Sequence, residues 1–266
     1  MIECNPVNTP IEYGVKLSKD DGARKVDSTT FQSLVGSLRY LTCTRPNILF
    51  AVGLVSRFME NPSKEHMNAA KRILRYLKGT FDYGIFYTSS NDVCLKGYCD
   101  SDYAGDVSDH KKTTGFMFYF EENAIPWCST KQPIVTLSTC ESEYVNTTAR
   151  MCHAIWLRRL LSEPYFAQDG ATKIMKDNKS AIALAKNRMF HERSKHIDAK
   201  FHFIRDCIAT KEIEVEYIKT LDQVADIFTK ASRRQTQQLI EMIGSPIHRG
   251  VENSKKINLP SHFLQP

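Results

Sequence analysis

The sequence predicts an α/β protein, a sheet of mixed strand direction with helices on its faces, preceded by a smaller, mainly helical region. Three observations carry this expectation. Apolar residues recur at helical spacing through the first third, three short strand patterns follow one another from about residue 93, and strand and helix patterns then alternate to about residue 228. At 266 residues, 42% of them hydrophobic and 25% charged, the chain can bury a sizeable core without metal or disulfide support.

Each element has a local reason. Ser28-Thr29-Thr30 is expected to cap a helix carrying Phe31, Leu34, Val35, Leu38 and Leu41. Past the break at Thr44-Arg45, Pro46 suits the first turn of a second helix with Ile48, Leu49, Val52 and Val55 on its apolar face. A third helix, from about Glu65 to Lys78, shows the stripe Met67, Ala70, Ile73, Leu74, Leu77. Its basic residues Lys71, Arg72, Arg75 and Lys78 lie off the stripe and read as a solvated face, with phosphate contact as the alternative.

Val93 to Cys99, Thr114 to Phe120 and Ala124 to Cys128 then read as an antiparallel meander. A long helix from Ser138 to Leu161 opens on a capping-box spacing to Glu141. Next are a strand at Thr172 to Lys176, a helix at Lys179 to Lys186, a mixed helical stretch at Ile197 to Thr210 and an alternating strand at Ile213 to Ile218. A last helix starts near Leu221 and carries Val224, Ile227 and Phe228, and the segment after about Ser245 reads as a mobile tail.

Bulk properties narrow the function classes. A net charge of +6 permits a polyanionic partner without demanding one. The eight cysteines form no C-x-x-C pair and no secreted disulfide framework, so most are expected to be buried thiols in a reducing compartment. The start Met1-Ile2-Glu3-Cys4 does not resemble a secretory leader, and the longest apolar run, Ile48 to Val55, is too short to span a bilayer. The expectation is an intracellular protein, cytoplasmic or nuclear, neither secreted nor membrane-inserted. Oligomeric state leaves no mark in the sequence.

The residues that carry chemistry are acidic. Asp100 follows the strand ending Gly97-Tyr98-Cys99 and Asp177 follows Thr172 to Lys176, so adjacent strands would bring both carboxylates to one sheet edge. Either aspartate alone reads as a turn or cap. The long helix offers Glu141 and Glu143. Glu143 has the small neighbours Asn146 and Thr147 one turn on, where Glu141 has Tyr144 and Val145, so Glu143 is chosen and Glu141 is left to the cap. Asp226, in the first turn of the last helix, is the fourth candidate, and Asp222 reads as that helix's N-cap. Converging carboxylates repel one another unless a cation neutralises them. Oxygen-only ligands suit Mg²⁺, with Mn²⁺ able to stand in, and two such ions roughly 4 Å apart can hydrolyse a phosphodiester. Asp100, Glu143, Asp177 and Asp226 are therefore the expected catalytic and metal-binding set.

Five segments give this reading a family. They are Gly97-Tyr98-Cys99-Asp100-Ser101-Asp102-Tyr103-Ala104-Gly105, Ser138-Thr139-Cys140-Glu141-Ser142-Glu143-Tyr144, Lys176-Asp177-Asn178-Lys179-Ser180-Ala181-Ile182, Ser194-Lys195-His196-Ile197-Asp198 and Ala225-Asp226-Ile227-Phe228-Thr229-Lys230. In order, over residues 91–235, they resemble the ribonuclease H domain of copia-type LTR retrotransposon Pol polyproteins. Leu34 to Leu41 and Thr44-Arg45-Pro46 resemble the end of the same polyprotein's reverse transcriptase. The resemblance implies a mixed five-stranded ribonuclease H-like sheet, the same four carboxylates, an RNA:DNA hybrid as substrate and other Pol components as partners. It divides the chain into a helical remnant (1–90), a ribonuclease H-like domain (91–235) and a helix end with tail (236–266).

Departures are also legible. Lys19-Asp20-Asp21-Gly22 is a polar turn and not a polymerase's catalytic hairpin, so no DNA synthesis is expected, and protease and integrase regions are lacking. Asn47 stands where the family commonly has Asp. A catalytically silent nucleic-acid-binding relic is the alternative to an enzyme, and a DNA-cutting nuclease on the same fold is a third class, one that would not require Asp226. His191, His196 and His202 lack the spacing of a zinc site. Trp127 and Trp156 read as core, with base stacking as the alternative, and Lys111-Lys112 and the loop Ser129 to Gln132 as polar turns, with contact to the hybrid's phosphates as the alternative.

Overall fold

Helix α1 (Ser28–Leu41) opens the helical region. Its cap is Asp27, whose carboxylate accepts from the Thr30 amide at 2.7 Å, so Ser28, Thr29 and Thr30 lie inside the helix instead of capping it. The structure is a computed structural model that describes residues 4–85, 87–88, 94–101, 111–132, 139–162, 166–186 and 206–231, with side chains for all of these except 139–145 and 184–186. The expected second helix is split: Pro46–Ile48 forms a 3-10 turn that runs into α2 (Leu49–Val55). Helix α3 (Lys64–Gly79) is closed by a capping box in which Ser63 and His66 satisfy each other's backbone amides.

These helices bury Phe31, Val35, Leu38, Ile48, Val52, Ile73 and Tyr76 in one cluster. Full burial of such apolar side chains stabilises by about 1.5–3 kcal/mol each before entropy is counted. Among the basic positions of α3, Lys71 and Lys78 are exposed as expected of a solvated face, but three of the four also reach the N-terminal segment. Arg72 pairs with Glu12 at 2.8 Å and Thr9 at 3.0 Å, Arg75 Nε donates to the Asn5 carbonyl at 2.8 Å, and Lys78 Nζ donates to the Cys4 carbonyl at 2.9 Å. Helical periodicity shows which residues leave the core, but not that an extended N-terminal segment returns to meet them.

The polar turn at Asp20-Asp21 also has a structural use. Asp21 accepts a short hydrogen bond from the Ser63 hydroxyl, and Gly22 supplies the positive φ of +67°. Asn47 bridges a half-buried and a buried group: its Oδ1 accepts from Arg45 Nε at 3.3 Å and its Nδ2 donates to the Tyr76 hydroxyl at 2.7 Å. Burial pushes the Tyr76 phenol up to about 12, so it keeps its proton. Asn47→Asp is therefore expected to stabilise the fold by about 1 kcal/mol, because Arg45 gains a charged acceptor while Tyr76 turns to donate. Denaturant melts of the two proteins check this.

The sheet contains β1 (Leu95–Ser101), β2 (Thr113–Phe120), β3 (Asn123–Lys131), β4 (Thr172–Lys176) and β5 (Ile213–Tyr217) in the order β3-β2-β1-β4-β5. The first three form the expected antiparallel meander, while β4 and β5 run parallel to β1. Strand β3 extends to Lys131, so Ser129, Thr130 and Lys131 are paired with β2 and are not a loop. Helices α4 (Thr139–Ser162) and α5 (Lys179–Lys186) accompany the sheet, and Met151, Ala154, Ile155 and Ile182 pack with Leu95, Cys99, Phe116, Phe118 and Ile174. Parity along the strands sends Met117 and Tyr119 to the opposite face, where Val224, Ala225 and Phe228 cover them. This is the ribonuclease H-like mixed sheet that the resemblance implies.

Three other expectations need correction. The last helix is two 3-10 turns, Thr220–Asp222 and Val224–Phe228, and the second is capped by Gln223, which accepts from Ala225 N, and not by Asp222. Trp127 is half-buried, donating from Nε1 to the Thr42 carbonyl at 3.0 Å, whereas Trp156 on α4 is 55% exposed and so is not core. Among the cysteines whose side chains are described, Cys99 and Cys207 are buried, Cys4, Cys128 and Cys152 are intermediate, and Cys43 and Cys94 are exposed. The mixed helical stretch is described only as a short helix at 206–209. Ser138, His191, His196, His202 and the tail after Ser245 lie outside the described residues.

The helical region contacts the sheet through Trp127 and through Arg57, whose guanidinium donates to the Thr113 hydroxyl at 3.2 Å. Leu49 of α2 packs against the cluster that includes Phe228.

Candidate metal centre

Strand pairing brings the first two candidates level. Tyr98 pairs with Met175 across parallel β1 and β4, so two residues further along each strand lie Asp100 and Asp177. Asp226 arrives from the opposite face on the 3-10 turn Val224–Phe228, which rests on β1 and β2. One carboxylate oxygen from each of Asp100, Asp177 and Asp226 lies within 4.8 Å of the others. Asp100 and Asp226 are buried and Asp177 is half-buried.

The fourth candidate, Glu143, lies in α4, and its side chain is outside those described, as is that of Glu141. One turn on, Asn146 and Thr147 are buried, and Asn146 Nδ2 donates to the Asp100 carbonyl at 2.6 Å. Asn146 was readable in sequence only as a small neighbour of Glu143, yet it ties α4 to the end of β1.

Several supporting residues carry no strong sequence signal. The Thr229 hydroxyl donates to Asp100 Oδ2, and Gln223 Nε2 donates to the Cys99 carbonyl at 3.2 Å. The Ser129 hydroxyl donates to the Phe228 carbonyl, securing the far end of the turn. Lys230 Nζ lies 2.7 Å from Asp226 Oδ2. Thr229 and Lys230 belong to the motif quoted above, and an Asp-Lys pair at i, i+4 is the one hint of contact that spacing alone offers. Gly115, in a strand of aromatic residues, was the other available signal.

Electrostatics describe a cluster short of positive charge. Burial first, and then the neighbouring Asp100 charge, push the Asp226 carboxyl up to about 7, with Lys230 pulling the other way. Hard oxygen donors that hold a proton when alone are a fitting donor set for a divalent cation. A carboxyl raised in the fold binds protons that the unfolded chain releases. Its contribution to stability is therefore complete below the unfolded value, near 3.8, and is lost as pH rises through about 7. In EDTA the protein is expected to be less stable at about pH 8 than at about pH 5.5, by roughly 2 kcal/mol at most, and Asp226→Asn should flatten the difference. Melting curves across that range check this.

A five-stranded mixed sheet in this strand order, with an acidic cluster where β1 and β4 end, is the arrangement that the ribonuclease H-like resemblance implies. A solved ribonuclease H1 in complex with an RNA/DNA hybrid is similar at TM-score 0.36 and 13% identity, over 51% of this chain and 93% of that one. No family model matches the chain. It is 42% identical over 252 residues to the retrovirus-related Pol polyprotein from transposon TNT 1-94 of Nicotiana tabacum, covering 92% of this chain and 19% of that protein. Against the corresponding polyprotein from transposon RE1 of Arabidopsis thaliana it is 40% identical over 245 residues, covering 92% and 17%. Its homologues are therefore retrovirus-related Pol polyproteins from copia-type transposons. It spans less than a fifth of the length of these relatives. Among the described residues no helix is long and apolar enough to cross a membrane.

Proposed function

We propose that residues 91–235 form a metal-dependent endonuclease that hydrolyses the RNA strand of RNA:DNA hybrids. The observation that carries this reading is the meeting of Asp100, Asp177 and Asp226, with ligand oxygens within 4.8 Å of one another, in a chain whose homologues are Pol polyproteins. Asp100, Glu143, Asp177 and Asp226 would hold two Mg²⁺ ions, with Mn²⁺ able to replace them. Position 143 shares a helical face with Asn146 and Thr147, which is why Glu143 is preferred to Glu141. Bound divalent ions supply charge neutralisation and Lewis acidity at the phosphodiester.

The chain's own residues hold the ligands in place. Thr229 orients Asp100 through its Oδ2, Asn146 fixes the end of β1, and Gln223 and Ser129 anchor the turn that carries Asp226. No protein nucleophile is required, and recognition of the hybrid would rest on its shape and its 2′-hydroxyls. Residues 1–90 read as the end of a reverse transcriptase without its polymerase site, and the setting as intracellular, alongside other Pol components; residues 236–266 lie outside the described residues.

Incubating the full chain with a hybrid labelled on its RNA strand, with Mg²⁺ and with EDTA, tests the reading. RNA shortened only with Mg²⁺ is the expected result. Intact RNA in both would make the chain a silent relic, and cleavage of duplex DNA instead would place it with DNA-cutting nucleases of the same fold.

A further inference from the structure

The carboxylate cluster already contains a cation. The Lys230 side chain is 41% exposed, yet its Nζ lies 2.7 Å from Oδ2 of Asp226, whose side chain is 1% exposed. Asp100 and Asp177 act on the same ammonium. Its backbone is held as well: Lys230 N donates to the Asp226 carbonyl at 3.1 Å, and Thr229, one residue before, donates to Asp100 Oδ2. The tip of the side chain is thus directed into the cluster while its stem stays at the surface.

This position conflicts with a divalent ion. One ammonium cannot balance three carboxylates, and any metal drawing on Asp226 Oδ2 must compete with Nζ for that oxygen. A lysine stem of four flexible carbons can swing its charge into water without moving the backbone.

We propose that Lys230 is the resident counter-ion of the cluster, occupying Asp226 Oδ2 until a divalent cation arrives and then withdrawing toward solvent. Metal binding is then an exchange of one cation for another. Lys230 supports the metal-free fold and opposes metal uptake, which makes it a positioning residue for the acidic ligands. The inference rests on the metal-dependent reading given above.

Mn²⁺ binding to the full chain, followed by calorimetry, and melting in EDTA together test it. Lys230→Met, which keeps the stem and removes the charge, is expected to bind Mn²⁺ roughly three- to tenfold tighter than wild type. It should also melt a few degrees lower in EDTA. Lys230→Gln should follow Lys230→Met, and Lys230→Arg should return both readouts toward wild type. If wild type binds Mn²⁺ and Lys230→Met binds it equally or more weakly, the counter-ion role is overturned and the metal site stands. If wild type binds no Mn²⁺, the metal reading falls and this inference falls with it.

Discussion

Asp100→Asn is expected to abolish hybrid cleavage, by on the order of 10³-fold or more, without unfolding the protein. The asparagine fits the space and its Oδ1 can still accept from Thr229, so the contacts that seat β1 against the turn survive. What disappears is a charge at the centre of the cluster. That charge also helps to hold the Asp226 carboxyl near 7, so its removal relieves repulsion, and the variant should melt no lower than wild type in EDTA at alkaline pH. Loss of activity with unchanged or raised melting temperature separates a ligand from a structural aspartate. Asp222→Asn, on the neighbouring exposed turn, is the control expected to change neither readout. Cleavage by Asp100→Asn within tenfold of wild type would remove Asp100 from the site.

The second large effect is expected away from the carboxylates. Gly115→Ala places a methyl group 2.4 Å from Phe228 Cβ, 3.0 Å from the Ala225 carbonyl oxygen and 3.1 Å from Thr229 Cγ2. None of these is the free end of a flexible side chain, so the 3-10 turn itself must lift. Gly115 pairs with Asp100 across β1 and β2, directly beneath the turn that brings Asp226, Thr229 and Lys230 to the cluster. Overpacking of this kind costs about 1–3 kcal/mol, which melting will read as a fall of several degrees. Cleavage should fall by at least tenfold even well below the melting temperature, because a shift of the order of 1 Å at ligand oxygens is poorly tolerated. Gly36→Ala, with nothing within 4 Å of the added carbon, is expected to be neutral or slightly stabilising. A Gly115→Ala protein that melts and cleaves like wild type would mean that the turn does not depend on that close approach.

Much of the architecture was legible because its causes are local. The helical repeat of Phe31, Val35 and Leu38, the alternation of Ile213 and Val215 with glutamates, and the strand at Thr172 to Lys176 each depend on residues within a few positions of one another. Where local signals were ambiguous, neighbours decided. Asp27 and Gln223 took the caps expected of Ser28 to Thr30 and Asp222, and Trp156 faces outward on a helix whose mixed pattern does not single out one apolar face.

By itself the sequence determined the order of elements, the acidic residue types at strand ends and the family motifs, because these are properties of short stretches of chain. Only the tertiary structure decided that β1 and β4 lie side by side, so that Asp100 meets Asp177, and that a turn more than 120 residues after Asp100 lands on Gly115 with Asp226 and Lys230. It likewise decided that Arg72, Arg75 and Lys78 hold the N-terminal segment. Such long-range pairings are selected by total burial and charge balance across the whole chain, and no local pattern records them.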